Sequence, residues 1–402
     1  MPSLHNSPPP TTLSPTVPDH TTPSCYHAVT RIHGSAIIRP LALSNLQLHR
    51  LYHNRKRYPH SEFKLYDQFL RTHSSSIEWL LQRSDPSVRY RTLTDINALP
   101  STHPDVIEAH SSVQGSALLK EILGHQLADG SWRGPRGDTW EEKGTVFSLL
   151  LLAELGADSS VATERALDHL HSHYQLPSGR IAYRPVRNPR SQETSSTWMW
   201  CITAAVLRAG ALLGHLKSPA IQHAIEFFED AHCNEGGWHC STYSGDPSKV
   251  TPLNCYMGTM KALGAFSAIP PKRRSKKIRS IIDSEVQTCL DNEVCYYRVN
   301  REGQPAIKKA WLKFAFPRYW RADALEAVDI LTSFGVRDSR MDRAVVIIRE
   351  KMQSNGRWLM DFSETKRAWI KIEEEGMPSK WITLRALRVL KRLGPEKTDH
   401  QR

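Results

Sequence analysis

No stretch of this chain approaches the roughly 18 consecutive apolar residues that a membrane-spanning helix requires, so no spanning helix is expected in it. No apolar core follows the first residues, so a secretory signal is not expected. Cysteine is sparse, seven residues without regular spacing. An odd, scattered set in a chain this long speaks against a disulfide framework and for reduced thiols inside a cell. The expected location is intracellular and cytoplasmic, with mitochondrial or nuclear placement also open. Acid is nearly missing from the first 61 residues, where Asp19 stands alone against Arg31, Arg39, Arg50, Arg55, Lys56 and Arg57. An acid-poor, Ser/Thr-rich, Arg-bearing leader has the make-up of an organellar transit peptide and equally of a solvated extension. Seven prolines among the first 24 residues exclude a packed core there. The expected division is a disordered basic extension over 1–74, a folded domain over 75–393 and a short tail over 394–402.

What the chain does have is a turn written four times. The clearest copy is Gln126-Leu127-Ala128-Asp129-Gly130-Ser131-Trp132; the others are Gln175…Gly179-Arg180-Ile181, His232…Gly236-Gly237-Trp238 and Gln353…Gly356-Arg357-Trp358. Each closes a stretch of 3.6-residue apolar periodicity with glycine, which takes φ > 0 after a helix without a Cβ clash. A large apolar side chain, usually Trp, follows two residues later. Gly130, Gly179 and Gly236 lie 49 and 57 residues apart, and Gly356 comes 120 later, about two periods with one worn copy between. Such a period holds two helices and two loops, so the chain reads as an array of helix pairs.

The helices alternate in character. Those expected at 144–156, 196–213 and 255–267 are apolar nearly all round, as buried helices are; those at 116–126, 161–174, 219–232 and 276–290 carry one apolar stripe. Helices at 322–334, 338–353 and 381–393 complete the domain. One amphipathic helix followed by one enclosed helix is what concentric layers demand. Upstream, Ile77, Trp79, Leu80 and Leu81 form a short helix, and Ser84-Asp85-Pro86 opens the next.

With the turns laid out, the chain resembles the α/α-toroid superfamily of squalene–hopene (terpenoid) cyclases and protein prenyltransferase β-subunits. The cyclases' QW signature, Gln–Gly–any residue–Trp, fits Gln126/Gly130/Trp132 and Gln353/Gly356/Trp358 fully and the middle two copies in degraded form. The resemblance covers roughly 75–393. It is closer to single-toroid, cyclase-like proteins of unassigned activity, through Trp79…Asp85-Pro86-Ser87-Val88-Arg89, Gly236-Gly237-Trp238-x-Cys240, Phe316-Pro317-x-x-Trp320-x-x-Asp323 and Ser379-x-Trp381-x-Thr383-Leu384-Arg385. It implies an all-α toroid and a terpenoid cyclase-like or prenyltransferase-like protein handling an isoprenoid, or another apolar small molecule, in a central aromatic-lined cavity. Two family features are missing. There is no Asp-x-Asp-Asp box for protonating an alkene, and no Asp-x-Cys pair with a following His for zinc.

Four features remain as candidate chemistry. Asp323 opens an inner helix where the mouth of a toroid would be. It could protonate an alkene if burial raised its pKa, or be a helix-capping carboxylate paired with Arg318 or Arg321. If those arginines face the cavity instead, they suit a diphosphate. His239, Cys240 and Cys255 are candidate zinc ligands, with buried free thiols as the plainer reading. Ten of the eleven tryptophans lie from residue 132 onward. Trp198, Trp200, Trp238 and Trp320 could line an isoprenoid cavity, or serve as turn locks and core. The basic run from Lys272 to Arg279 fits a phosphate or import patch, or a solvated loop. A net charge of +12 leaves nucleic-acid or peripheral anionic-membrane association open, beside the isoprenoid protein and a toroid that only binds.

Overall fold

The computed structural model describes residues 60–134, 137–186, 199–238, 255–296, 298–299, 305–319, 321–363 and 368–394, all within the unit Leu51–Arg402. The expected disordered tail therefore lies outside the described residues up to residue 59. The helix α1 (His60–Thr72) stands inside the stretch read as extension and packs on α2 (Ser74–Leu80), so helical structure starts ahead of residue 75.

Each remaining helix follows from its apolar pattern and its cap. In chain order they are α3 (Pro86–Arg91, continued by a π turn over Thr92–Ile96), α4 (Pro104–Gln114), α5 (Ala117–Gly124), α6 (Thr145–Leu155), α7 (Val161–Tyr174), α8 (Trp200–Leu212), α9 (Pro219–Asp230), α10 (Tyr256–Ala268), α11 (Lys276–Asp291), α12 (Ala324–Ser333), α13 (Asp342–Glu350) and α14 (Lys380–Leu393). Ser116, Ser160, Ser275, Asp323 and Ser379 each accept a backbone N–H of the first turn from the N-cap position. In α6 every residue except Glu154 is buried, whereas α7 buries Ala166, Leu167, Leu170 and Tyr174 and exposes its opposite face.

That difference sorts the helices into two layers. Around the inside, α6 packs on α8, α8 on α10, α10 on α12, α12 on α14 and α14 on α3 with its π turn. The circle closes where Arg91 reaches the carbonyl of Ala153 and Tyr90 lies against Gly156. Outside run α5, α7, α9, α11, α13 and α2. The unit is an all-α toroid of six outer–inner helix pairs. Gly258 lets α10 approach α8: a Cβ there would lie 2.4 Å from the Trp200 ring.

The repeated turns rivet the layers together by a recurring set of bonds, with substitutes in the third and last copies. Trp132, Trp238 and Trp358 each donate Nε1–H to the carbonyl ten residues earlier, at 2.7, 3.1 and 2.6 Å. The backbone N–H of Trp132, Ile181 and Trp358 donates to Thr145, Thr203 and Thr383 of the next inner helix, each at 3.0 Å. Gln126 and Gln175 donate to carbonyls opening the next outer helix, at Ala162 and Ala220. In the third copy, His232 and the N–H of Gly237 meet Glu285 of α11 instead. The last copy has only the first outer helix left to meet, and Ser76 of α2 donates to the carbonyl of Gly356 at 2.7 Å. The worn copy is the turn after α11, where Glu293 and Val294 take φ of 47° and 60° in place of a glycine.

The two rims differ. Inner helices return to outer ones through short connections (156–160, 213–218, 269–275, 334–341), while outer helices reach inner ones through long ones (125–144, 175–199, 231–255, 292–323, 351–379). Small antiparallel strand pairs decorate the long rim: β1 (Arg298–Val299) with β2 (Pro305–Ala306), and β3 (Trp358–Leu359) with β4 (Pro378–Ser379). No described helix is long and apolar enough to cross a membrane.

Candidate functional site

The centre of the ring is where a reaction chamber would lie, and each inner helix sends charge into it. Among otherwise apolar residues α6 carries Glu154, α8 Arg208 and α10 Lys261; α12 contributes Glu326 and Asp329. On α14, Arg385, Arg388 and Arg392 fall at i, i+3 and i+7 and so share one face. Arg208 Nε and Arg385 Nη2 hold opposite oxygens of Glu154 at 3.1 and 3.2 Å. Lys261 Nζ sits 3.0 Å from both oxygens of Glu326. Asp329 is clasped by Arg388 and by Arg392, and Arg388 also reaches Asp95 at 2.8 Å. The hub is a column of ion pairs.

Burial sets the protonation of this column. It pushes the Glu154 carboxyl up, but Arg385, Arg208 and Lys261 outweigh it and leave the group below its ordinary value. Asp329 behaves alike under Arg388 and Arg392. For Lys261 burial wins over Glu326 and Glu154, and the ammonium is pulled below its usual range.

Toward the long-loop rim the hub is closed by the segment 313–319. Phe314, Phe316 and Tyr319 of that segment are buried. Phe316 stacks on Trp381 at 4.0 Å, and Tyr319 packs on Phe147 of α6 at 5.2 Å. The described residues leave in the hub a cavity of about 10 Å³, with Glu154, Arg208, Lys261, Arg318, Tyr319 and Glu326 on its wall. A pocket for an isoprenoid needs on the order of 300–1,000 Å³. The central aromatic-lined chamber expected from the sequence is therefore not what the described residues enclose. The space is taken by ion pairs below and by the 313–319 segment above.

The individual site residues fall into place accordingly. Asp323 is the N-cap of α12: it accepts from Glu326 N at 2.7 Å and Ala315 N at 3.2 Å, and lies 2.8 Å from Arg318. Burial pushes its carboxyl up against the pull of Arg318, which is the direction an acid catalyst needs. Both oxygens are nevertheless committed to backbone donors. Arg318 points into its own segment, donating to the carbonyls of Lys313 and Ala322 at 3.0 Å, and is no open diphosphate fork. Arg321 lies over the Phe362 ring at 5.2 Å. Trp200 and Trp238 are corrected from cavity lining to interlayer core. Their rings pack at 5.0 Å from each other, and Trp238 also meets Phe228 and Phe266 between the layers. Trp198, Trp320, His239 and Cys240 lie outside the described residues. Cys255 is half-buried, and among the described residues no group of three or more His, Cys, Asp or Glu is placed to hold a metal ion. In the basic run, Arg274 donates to Ile269 O and Lys277 pairs with Asp230, so these cations tie α10 and α11 to their neighbours.

The motifs that carried the resemblance have structural work throughout. Asp85 pairs with Lys380 at 2.5 Å, and Trp79 is held between Arg357 and Lys380, which fastens α2 and α3 to the last repeat. Glu373 accepts from Ser379 Oγ and from the N–H groups of Lys380 and Trp381, seating a carboxylate on the N-terminus of α14. The hub column was overlooked in the sequence because its members are scattered over 300 residues. The signal was the lone charge inside each of α6, α8 and α10, helices otherwise without charge.

No family model and no curated protein matches the chain. Solved structures of similar architecture exist at remote identity. The type II terpene cyclase MstE from Scytonema is 17% identical, covering 81% of this chain and 98% of its own, with a TM-score of 0.41. The polysaccharide lyase BACCELL_00875 is 13% identical (83% and 97% covered, TM-score 0.45). Cellobiose 2-epimerase from Spirochaeta thermophila is 12% identical (77% and 86%, TM-score 0.42).

Proposed function

We propose that this chain is a terpenoid-cyclase-like toroid that binds rather than converts, a scaffold whose recognition surface is the rim of long loops. The observation that carries the reading is the hub: a greasy chamber is replaced by Glu154, Arg208, Lys261, Glu326 and Arg385 in mutual ion pairs, beneath an aromatic segment of the chain itself. An allylic or alkyl chain placed there would have to displace buried charges from their partners, at about 3–5 kcal/mol for each pair broken. The long connections supply a different surface, and loops held by a rigid scaffold are where recognition usually resides.

The test is incubation of the full chain with squalene and with prenyl diphosphates, followed by extraction and mass spectrometry. The same preparation is weighed intact under native conditions. The reading expects recovered substrate and a mass with no isoprenoid added. Cyclised or transferred product, or an isoprenoid retained at one per chain, would overturn it.

A further inference from the structure

The charges around the hub cavity do not balance. Glu154, Glu326 and Asp323 are three carboxylates; Arg208, Arg385, Lys261 and Arg318 are four cations. All seven side chains are a fifth exposed or less, so water screens the difference little. The imbalance is local, since Glu154 alone is shared by two guanidiniums whereas Glu326 and Asp323 have one cation each. Moreover Arg318 Nε, on a side chain 3% exposed, lies 2.8 Å from Asp323 but meets no acceptor in hydrogen-bond geometry. Protonating Asp323 would widen the excess; only loss of the Lys261 proton, which burial favours, would close it without an ion.

The cavity of about 10 Å³ sits among these groups, with Arg208, Lys261 and Arg318 on its wall facing Glu154 and Glu326, and with Leu150, Ala204 and Ala205 on its apolar side. A volume of about 10–15 Å³ on this measure admits one water-sized sphere. It admits no phosphate or carboxylate. We propose that the hub binds one halide ion, somewhat larger than a water-sized sphere and admitted as the long Arg208 and Lys261 side chains give way, which neutralises the four-against-three cluster and thereby stabilises the closed ring. An uncompensated buried charge is expensive, and a halide is the smallest species that cancels it without a covalent tail. The site goes beyond the scaffold reading and stands or falls apart from it.

The experiment is equilibrium urea unfolding of the full chain at fixed ionic strength, with sodium gluconate replaced stepwise by sodium chloride and then by bromide. For one ion bound by the folded state alone, the folding constant rises about tenfold for each tenfold rise in halide above half-saturation. Lys261→Met removes one cation and balances the cluster, so its folding constant should be the same in chloride and gluconate. Should that variant fail to fold, crystals grown in bromide give the direct reading, an anomalous peak between Lys261, Arg208 and Arg318. Equal stability of the parent chain in gluconate and chloride, a halide response that survives in Lys261→Met, or a hub holding only water in bromide crystals would each overturn the proposal.

Discussion

Replacing Gly179 and Gly214 by alanine separates two costs that glycine avoids in this fold. Both residues take nearly the same left-handed backbone, φ of 86° and 85°. An alanine there suffers about 1–2 kcal/mol from the Cβ clash with its own backbone, offset by about 0.4–1 kcal/mol because alanine has less freedom to lose on folding. At Gly214 a Cβ would meet nothing within 4 Å, so Gly214→Ala should cost about 1 kcal/mol or less. At Gly179 the Cβ would lie 2.0 Å from the carbonyl oxygen of His223 and 3.1 Å from Phe227 Cβ. The α9 backbone must move away, and overpacking of that kind adds about 1–3 kcal/mol. Gly130→Ala, with Arg165 O at 2.5 Å, should fall with Gly179→Ala; Gly236→Ala, whose nearest atom is Glu285 Oε1 at 3.2 Å, should lie between. Urea unfolding followed by circular dichroism measures all four, with unchanged m-values as the check that one transition is compared. Equal losses at Gly179 and Gly214 would show that the turn is not pressed against the next outer helix, and the account of how repeats are riveted would fail.

Thr383→Val keeps the shape of the side chain and removes the acceptor for Trp358 N; leaving that buried donor unmet should cost about 1–3 kcal/mol in urea unfolding. A loss near zero would deny the threonine its role. Asp329 has a carboxyl held below 3.8 by Arg388 and Arg392 despite burial. Its contribution is therefore complete above the unfolded value and disappears as pH falls through the lower folded one. Thermal melts from pH 7 to pH 2 should drop steeply below about pH 4, and Asp329→Asn should be weaker at pH 7 with a flatter acid limb. Burial pushes the Cys295 thiol up to about 11 and raises Cys289 as well. At pH 8 peptide mass spectrometry should find both unlabelled by iodoacetamide in the folded chain, while half-buried Cys233 reacts. Cys289 labelling as fast as Cys233 would contradict the packing.

Much of the architecture was legible because its devices are local. The Gln–Gly–Trp turns and the alternation of striped and wholly apolar helices are each visible within a dozen residues. The sequence readings of α6 to α14 accordingly fall within a few residues of the observed spans, apart from the short 3₁₀ turn that precedes α13. The worn copy expected between Gly236 and Gly356 could not be placed from the sequence, because its left-handed positions hold Glu293 and Val294, residues that give no hint of positive φ. Between the two readings of Trp200 and Trp238, cavity lining and core, the sequence could not choose: periodicity shows that a ring is buried, not which side of a helix layer it faces. The charged hub was the least legible part. Glu154 in α6 and Arg385 in α14 are 231 residues apart and meet only once the ring closes.

The contact of Ser76 with Gly356 also bears on how the ring is made. Until α13 and its turn have left the ribosome, α2 has no neighbour on one flank, and the nascent arc ends in two apolar edges that only each other can cover. Completion must therefore wait for nearly the whole chain, and a product cut short before α14 would be left as a sticky crescent for chaperones or proteases to meet.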